Sequence, residues 1–396
     1  MKLVQDISVT SRPIRIGPAF TPARLFAGGE AGAWFDPSDL TTLFQDAAGS
    51  VPVTADGQPV GLVLDKSRGL APGAELAASL PTPIVVNFGG SIGAWDGASR
   101  TMTNSGLSSN NSYPRFQFNL GLQANARYHV VGQLTGDIAA LAVVSLTISG
   151  LLNTVTYDPA TGAFEARQVS AGAILEFRLN GTIAGVKSVQ IAAISVRELP
   201  GAHAAQATST RRPTYRAEAG LRWLDFDGVD DLLVTSALDL TSTTRLSLFA
   251  GVRKMSDTVR GAIINHGAAD ARSFSLYGPG TGGVSNFAAV AGNTAQIEAA
   301  VTSAAPVSAV LTARHDIGGA PVQSLAVNGG APALVSGGTG ASATFRYTTL
   351  GIGGFATAER WFNGRLFGLV LRGAETSAFA SGCAERYLAA KTGVSL

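Results

Sequence analysis

The chain is expected to be all-β: two β-sandwiches of jelly-roll type in tandem, after a small N-terminal module, with one short helix at the C-terminus. Three observations predict this class. Only 14% of the 396 residues are charged and 48 are glycine, against about 25% charged and about 7% glycine in an average globular chain. Turn-rich, charge-poor chains suit sandwiches whose outer faces are covered by Ser, Thr and Asn. From residue 81 onward, apolar and polar residues alternate in short runs broken by Gly and Asn, the period of half-buried strands. The terminal stretch Ser377 to Lys391 has helical spacing and is stopped by Gly393.

The elements follow in order. Residues 1–23 alternate around Leu3, Ile7, Val9, Ile14 and Ile16, with Pro13, Pro18 and Pro22 as breaks, and read as an extended N-terminal arm. Residues 24–80 keep no sustained period. They hold a short helix start at Asp36-Pro37-Ser38-Asp39-Leu40, continuing towards Leu43 to Asp46, an Asp56-Gly57 turn, and a short strand at Pro59 to Leu64. Residues 81–199 carry strands at Val85–Phe88, Arg115–Phe118, Tyr128–Leu134, Leu141–Ile148, Ala163–Glu165, Leu175–Leu179 and Gln190–Arg197, which is sandwich spacing. Residues 200–222 read as a linker, small and polar with Arg211-Arg212-Pro213. Residues 223–396 form the second sandwich, with strands at Ser308–Arg314, Gln323–Val327 before an Asn328-Gly329 turn, Thr348–Gly354 and Leu366–Leu371, then the helix.

Residues 28–68 run GGEAGAWFDPSDLTTLFQDAAGSVPVTADGQPVGLVLDKSR. The string resembles a module of structural proteins of tailed bacteriophages and of gene transfer agents, of the tail-fibre or head-spike type, and Trp34, Phe35, Leu40 and Phe44 read as the staple of its small fold. The strings Arg127–Gly136 and Ile191–Leu199 are similar to strands of carbohydrate-binding-module sandwiches. The opening WLDFDGVDDLLV at Trp223 and the ending ERYLAAKTGV resemble concanavalin A-like, laminin-G-like lectin domains. These resemblances imply a virion protein in which residues 1–80 anchor and the sandwiches project.

Composition and motifs exclude several classes. A net charge of +2 lacks the concentrated basic field that nucleic-acid binding needs. A single cysteine, Cys383, allows neither an internal disulfide nor a cysteine zinc cluster. The N-terminus shows no apolar core of a signal peptide and no apolar run is long enough to span a bilayer. No catalytic residues are expected. The histidines His129, His203, His266 and His315 are scattered, no G-x-S-x-G, Walker or zincin motif occurs, and no pair of carboxylates is spaced as in a strand-borne glycosidase site. The one dense acidic group is Asp225, Asp227, Asp230 and Asp231. It reads either as a calcium site or as a turn whose carboxylates bond their own backbone. No cofactor beyond that possible calcium is implied.

Sugars present apolar faces that stack on aromatic rings and hydroxyls that pair with Asp, Asn and Arg. On that chemistry the candidates are Trp95, Asp96, Asn110, Asn111 and Tyr113 in the first sandwich. In the second they are His266, Asp270, Arg272, Tyr277, Asn286, Trp361 and Asn363. The expected function is a virion fibre or spike subunit that attaches the particle to host-surface polysaccharide. It would be made in the host cytoplasm, released by lysis and displayed on the virion as a homo-oligomer, a trimer, with residues 1–80 contacting other virion proteins. The alternatives are a decoration or joining protein that binds no glycan, or a capsule depolymerase.

Overall fold

The alternation along residues 84–199 becomes strands close to where it was expected. A computed structural model describes residues 20–106, 113–138, 141–148, 151–155, 157–170, 172–179, 185–267, 272–292, 295–337, 343–357 and 359–396, with side chains described outside 141–155. In the first sandwich one sheet has the order Leu151–Val155, Leu141–Ile148, Ile174–Leu179, Arg115–Asn119, Ile84–Val86. The other runs Ala163–Val169, Arg127–Gly136, Lys187–Leu199, Thr101–Asn104, Gly93–Asp96. In Arg115-Phe116-Gln117-Phe118 the two phenylalanines are buried, as Leu175, Phe177 and Leu179 are on the next strand. They meet Tyr128, Val130, Leu134 and Val196 from the facing sheet. Period two thus aims every second side chain at one core and leaves the polar ones on the outer face.

The second sandwich is built from an eight-stranded and a nine-stranded sheet. The long strands Arg245–Lys254, Val307–Asp316 and Asn363–Arg372 form the centre of the first. Strands Ala262–His266, Phe274–Tyr277 and Asn286–Ala291 lie within the second. The helix Ala378–Thr392 is capped by the Ser377 side chain and closed by Gly393 at φ 71°. It covers the outer face of the eight-stranded sheet, packing Ala384 and Leu388 on Phe249, Val310 and Val370. Among the described residues no helix is long and apolar enough to cross a membrane.

Three expectations are corrected here. Residues 24–80 do not form a small fold of their own. Strand Gly32–Phe35 pairs with Asn363–Arg372, Gly32 opposite Arg372. Leu43–Phe44 and Leu62–Val63 begin the nine-stranded sheet. Ala33, Phe35, Leu43, Val53, Val60 and Val63 lie in one core with Leu248, Phe287 and Leu369. Nor are residues 200–222 a linker: Ala204–Ala205 is a strand between Leu62–Val63 and Leu233–Thr235, and Thr214–Glu218 is an edge strand beside Leu221–Asp227. Alanines that read as flexible by composition are here the small side chains that fit a packed interior, with Ala204 fully buried. The third correction is local. The expected helix at 36–46 is a single 3-10 turn, Leu40–Thr42, capped by Asp39, and Leu43–Phe44 continues as a strand.

The first sandwich is therefore an insertion into the second. The chain enters and leaves it side by side: the Gly73 N–H donates to the Glu198 carbonyl at 2.8 Å and Leu76 to Val196 at 2.9 Å. Ala77 already belongs to its core, so it begins before residue 81. Of the arm expected at residues 1–23, residues 1–19 lie outside the described residues, and its end is not extended: Pro22 begins a 3-10 helix, Pro22–Phe26.

Asp65 ties the segments together. It is wholly buried and accepts from the backbone of Trp34 (2.8 Å), Ser67 (2.8 Å) and Ala202 (2.8 Å), and from the Ser67 hydroxyl (2.9 Å). His203 seals the same junction, its Nδ1 accepting from the Asp65 N–H at 2.9 Å and its Nε2 facing the Leu199 carbonyl at 3.0 Å. Asp65→Ala is expected to cost about 3–5 kcal/mol in urea unfolding, because buried N–H groups left without an acceptor cost about 1–3 kcal/mol each. A midpoint unchanged from wild type would remove Asp65 from this role. A second tie, Asp36, receives Lys391 Nζ at 2.7 Å, the Tyr387 hydroxyl at 2.8 Å and the Ser38 hydroxyl at 2.7 Å. Burial alone would raise this carboxyl, but Lys391 and the hydroxyl donors hold it at about 2.

Candidate functional site

The outer face of the sheet containing Arg115–Asn119 gathers chemistry that a packing face does not need. Arg115 and Gln117 alternate with the core residues Phe116 and Phe118, and Glu176 and Arg178 alternate with Leu175 and Phe177. The register sets Gln117 opposite Glu176 and Arg115 opposite Arg178. Glu176 and Arg178 are buried and paired at 2.5 Å, and Gln117 Nε2 donates to Glu176 Oε2 at 2.7 Å. Arg178 also donates to the Tyr113 hydroxyl at 3.0 Å.

Arg115 is treated differently. Its guanidinium lies 4.5 Å from the Phe88 ring centroid and 5.5 Å from that of Tyr113, and its Nε is buried without a hydrogen-bond partner. Among the described residues no carboxylate pairs with it, and Glu176 is occupied by Arg178. The patch therefore carries one net positive charge, held by two aromatic rings in a fixed orientation. Phe88 and Ile84 are exposed at its edge. Such an array offers planar donors, a hydroxyl and apolar rings to an external ligand.

The expected site residues divide. Tyr113 is in this patch. Trp95 is on strand Gly93–Asp96 rather than in a loop, and its ring stands edge-on to Phe118 at 5.1 Å, against the core. Asp96 closes a turn, accepting from the Ala98 N–H at 2.9 Å and the Ser99 hydroxyl at 2.7 Å. Asn110, Asn111 and Asp270 lie outside the described residues.

In the second sandwich the structure separates the remaining candidates. His266 is corrected to a core residue: it is fully buried and stacks on Phe274 at 4.7 Å, and burial lowers its pKa to about 4. Arg272, at φ 65°, spends its guanidinium on the Thr344 carbonyl at 2.6 Å. Asn286 is corrected likewise, since its side chain accepts from the Gly280 N–H at 2.9 Å and holds that loop. Tyr277 is fully buried, with its hydroxyl accepting from Arg360 at 3.3 Å. Trp361 is half-buried, its ring against Gly354, where a Cβ would lie 2.8 Å from it. Asn363 is exposed and sits opposite Asp227 in the sheet.

Three of the four acidic candidates converge: Asp227, Asp230 and Asp231 place carboxylate oxygens within 4.8 Å of one another and are the residues that could hold a cation. Their present bonds are those of a turn. Asp227 accepts from Val229 N–H at 2.8 Å, and Asp231 accepts from Asp227 N–H at 3.0 Å. Burial first, then the neighbouring carboxylates, raise Asp231 to about 6. Asp225 leaves the group and points between Arg216 (3.9 Å) and Arg365 (3.8 Å).

Sequence reasoning missed Phe88, Arg115, Gln117, Glu176 and Arg178. The signal that could have found them is present: charged or amide side chains at every second position of otherwise apolar strands must face away from the core.

No family model matches the chain, and no curated protein matches it. Among solved structures it is similar to mouse laminin α1 chain domains LG4-5, with 14% identity over 74% of this chain and 94% of that one, at a TM-score of 0.30. It is similar to a Trypanosoma rangeli sialidase solved with sialic acid, with 10% identity over 85% of this chain and 59% of that one, at 0.32. The tandem CBM22 domains of Paenibacillus barcinonensis Xyn10C match with 10% identity over 81% of this chain and 100% of theirs, at 0.25. All three TM-scores lie below 0.5.

Proposed function

We propose that the protein is a glycan-binding adhesin whose first sandwich engages an acidic surface polysaccharide through the Phe88–Tyr113–Arg115 patch. The observation that carries this is Arg115: a guanidinium oriented by two aromatic rings, with a buried unpaired Nε and no carboxylate partner among the described residues. A sugar carboxylate completes that charge balance with a bidentate pair, and Gln117 and Tyr113 supply further polar contacts. The resemblance of residues 28–68 to tailed-phage and gene-transfer-agent proteins supports placing this adhesin on a virion, released by lysis. Because residues 20–72 are woven into the second sandwich, that whole composite domain takes the anchoring role and the inserted sandwich projects. Single sites of this kind bind weakly, so the reading includes a homo-oligomer, a trimer, that gains strength by multivalency.

The test is binding of the full chain to immobilised polygalacturonate, with neutral dextran as the control. Arg115→Ala is expected to lower affinity by about 10–100-fold, the loss for a charged hydrogen bond worth about 1.5–3 kcal/mol. Equal binding by the variant, or equal binding to dextran, overturns the assignment. The second reading, a particle-decoration protein with sandwiches as spacers, draws on Trp95, whose ring is turned to the core rather than to a ligand. On that reading the wild-type chain binds neither polymer.

A further inference from the structure

The second sandwich carries a pair of cations without a counter-charge among the described residues. Tyr277 on strand Phe274–Tyr277 and Phe355 beside it are buried aromatics on the outer side of the nine-stranded sheet, in a small cluster with Ala262, Ala288 and Val290. Arg260 lies over the Tyr277 ring, 4.1 Å from its centroid. Arg360 lies over Phe355 at 4.5 Å and donates to the Tyr277 hydroxyl at 3.3 Å. Tyr277 therefore meets two guanidiniums, one over its ring and one at its hydroxyl.

Among the described residues neither arginine has a carboxylate partner, and Arg260 Nε is buried without a hydrogen bond. Three acidic residues are near in the chain or the sheet, and none compensates them. Asp257, three residues before Arg260, is paired with Lys254 at 2.5 Å. Glu359 is exposed and is held only through its carbonyl, which accepts from Phe355 N–H at 2.9 Å. Glu298, exposed on strand Ile297–Thr302, pairs with neither. Arg360 has φ 58°, a left-handed conformation that costs a side-chain-bearing residue energy. Like charges brought to one side chain repel, and a ligand with two acceptor oxygens relieves that repulsion while filling the forks of both guanidiniums.

We infer that Arg260 and Arg360, seated on Tyr277 and Phe355, form a second oxyanion site that takes a carboxylate or sulfate ester of an acidic polysaccharide. It lies on a different sandwich from the Arg115 patch and does not depend on it.

The experiment uses the full chain in a Tyr113→Ala, Arg115→Ala background, which removes the first patch. Titrations use oligogalacturonate as the carboxylate probe and heparin oligosaccharide as the sulfate probe, with maltohexaose as the neutral control. The background protein is expected to bind one or both acidic probes and not the neutral one. Adding Arg260→Met and Arg360→Met, which keep apolar cover over the rings, is expected to lower that affinity at least about 10-fold and to flatten its salt dependence. Should the methionine variants fail to fold, Arg260→Lys with Arg360→Lys keeps the charges but not the forks, and a clear loss of affinity is expected there as well. A background protein that binds no acidic probe, or arginine variants that bind unchanged, overturns the second site. If wild type alone binds, the first patch stands without the second.

Discussion

A fragment beginning at residue 81 is expected to leave the C-terminal sandwich unfolded. The cut removes Phe35, Leu43, Val53, Val60 and Val63 from its core and strand Gly32–Phe35 from its central sheet. Burial of each such side chain contributes about 1.5–3 kcal/mol, so the loss is roughly 8–15 kcal/mol. That equals the whole stability of a typical domain, about 5–15 kcal/mol. The inserted sandwich, residues 73–199, is expected to behave oppositely: its ends are adjacent and its core is its own. Limited proteolysis and circular dichroism of fragments 73–199, 81–396 and 223–396 check both statements. A cooperative thermal transition and protease resistance in 223–396 would show that residues 20–72 are dispensable decoration.

The second large effect is expected in the pH dependence of stability. Burial lowers His203 to about 3, and His266 and His315 to about 4, from 6.5. Each folded-state value lies below the unfolded one, so on acidification the unfolded chain takes up protons first. The contribution of the three neutral rings is complete above pH 6.5 and declines as the pH falls through that value towards 4. At about 1.36 kcal/mol per pH unit, His266 and His315 each cost roughly 3 kcal/mol by pH 4. Asp231 opposes this trend: raised to about 6, it binds its proton first in the folded state and adds stability between pH 6 and the ordinary carboxylate range. Asp65 and Asp225, whose carboxyls burial also raises, act in the same direction as Asp231. The three imidazoles are expected to outweigh the three carboxyls, so the net slope is a loss. Urea midpoints at pH 7, 5.5 and 4.5 measure it, and His266→Phe, which keeps the stack on Phe274, is expected to flatten the profile. Midpoints independent of pH over this range would show that these rings titrate normally.

Both expectations follow from contacts between residues far apart in the chain, and the same distinction separates what was legible beforehand. The strands at Arg115–Asn119, Ile174–Leu179 and Val307–Asp316 were legible because period-two alternation is local. So was the terminal helix, with Ser377 and Gly393 at its ends. The partners of those strands were not. Nothing in GAWF at 32–35 says that it lies against Asn363–Arg372, because any antiparallel neighbour with an apolar face satisfies the same local pattern. The linker reading of 200–222 failed for a related reason: alanine is small enough for a loop and equally suited to a crowded interior, and only the neighbours decide which.

The site shows the same division at finer scale. Arg115, Gln117, Glu176 and Arg178 each announce an outward position by interrupting an apolar alternation. Their grouping, and the fact that Glu176 balances Arg178 and leaves Arg115 unpaired, depends on a register between strands some sixty residues apart. Aromatic residues misled more readily, since Trp95 and His266 carry binding chemistry wherever they stand and packing against Phe118 and Phe274 removed it from use. By itself the sequence determined the all-β class, the strands with the clearest alternation, such as Arg115–Asn119 and Val307–Asp316, the terminal helix and the lack of a known catalytic motif. The tertiary structure alone decided that one sandwich is inserted into the other and which arginines lack a counter-charge. The physical reason is that side-chain direction is set by the backbone a few residues at a time, whereas charge balance and core membership are set by whatever the finished fold brings alongside.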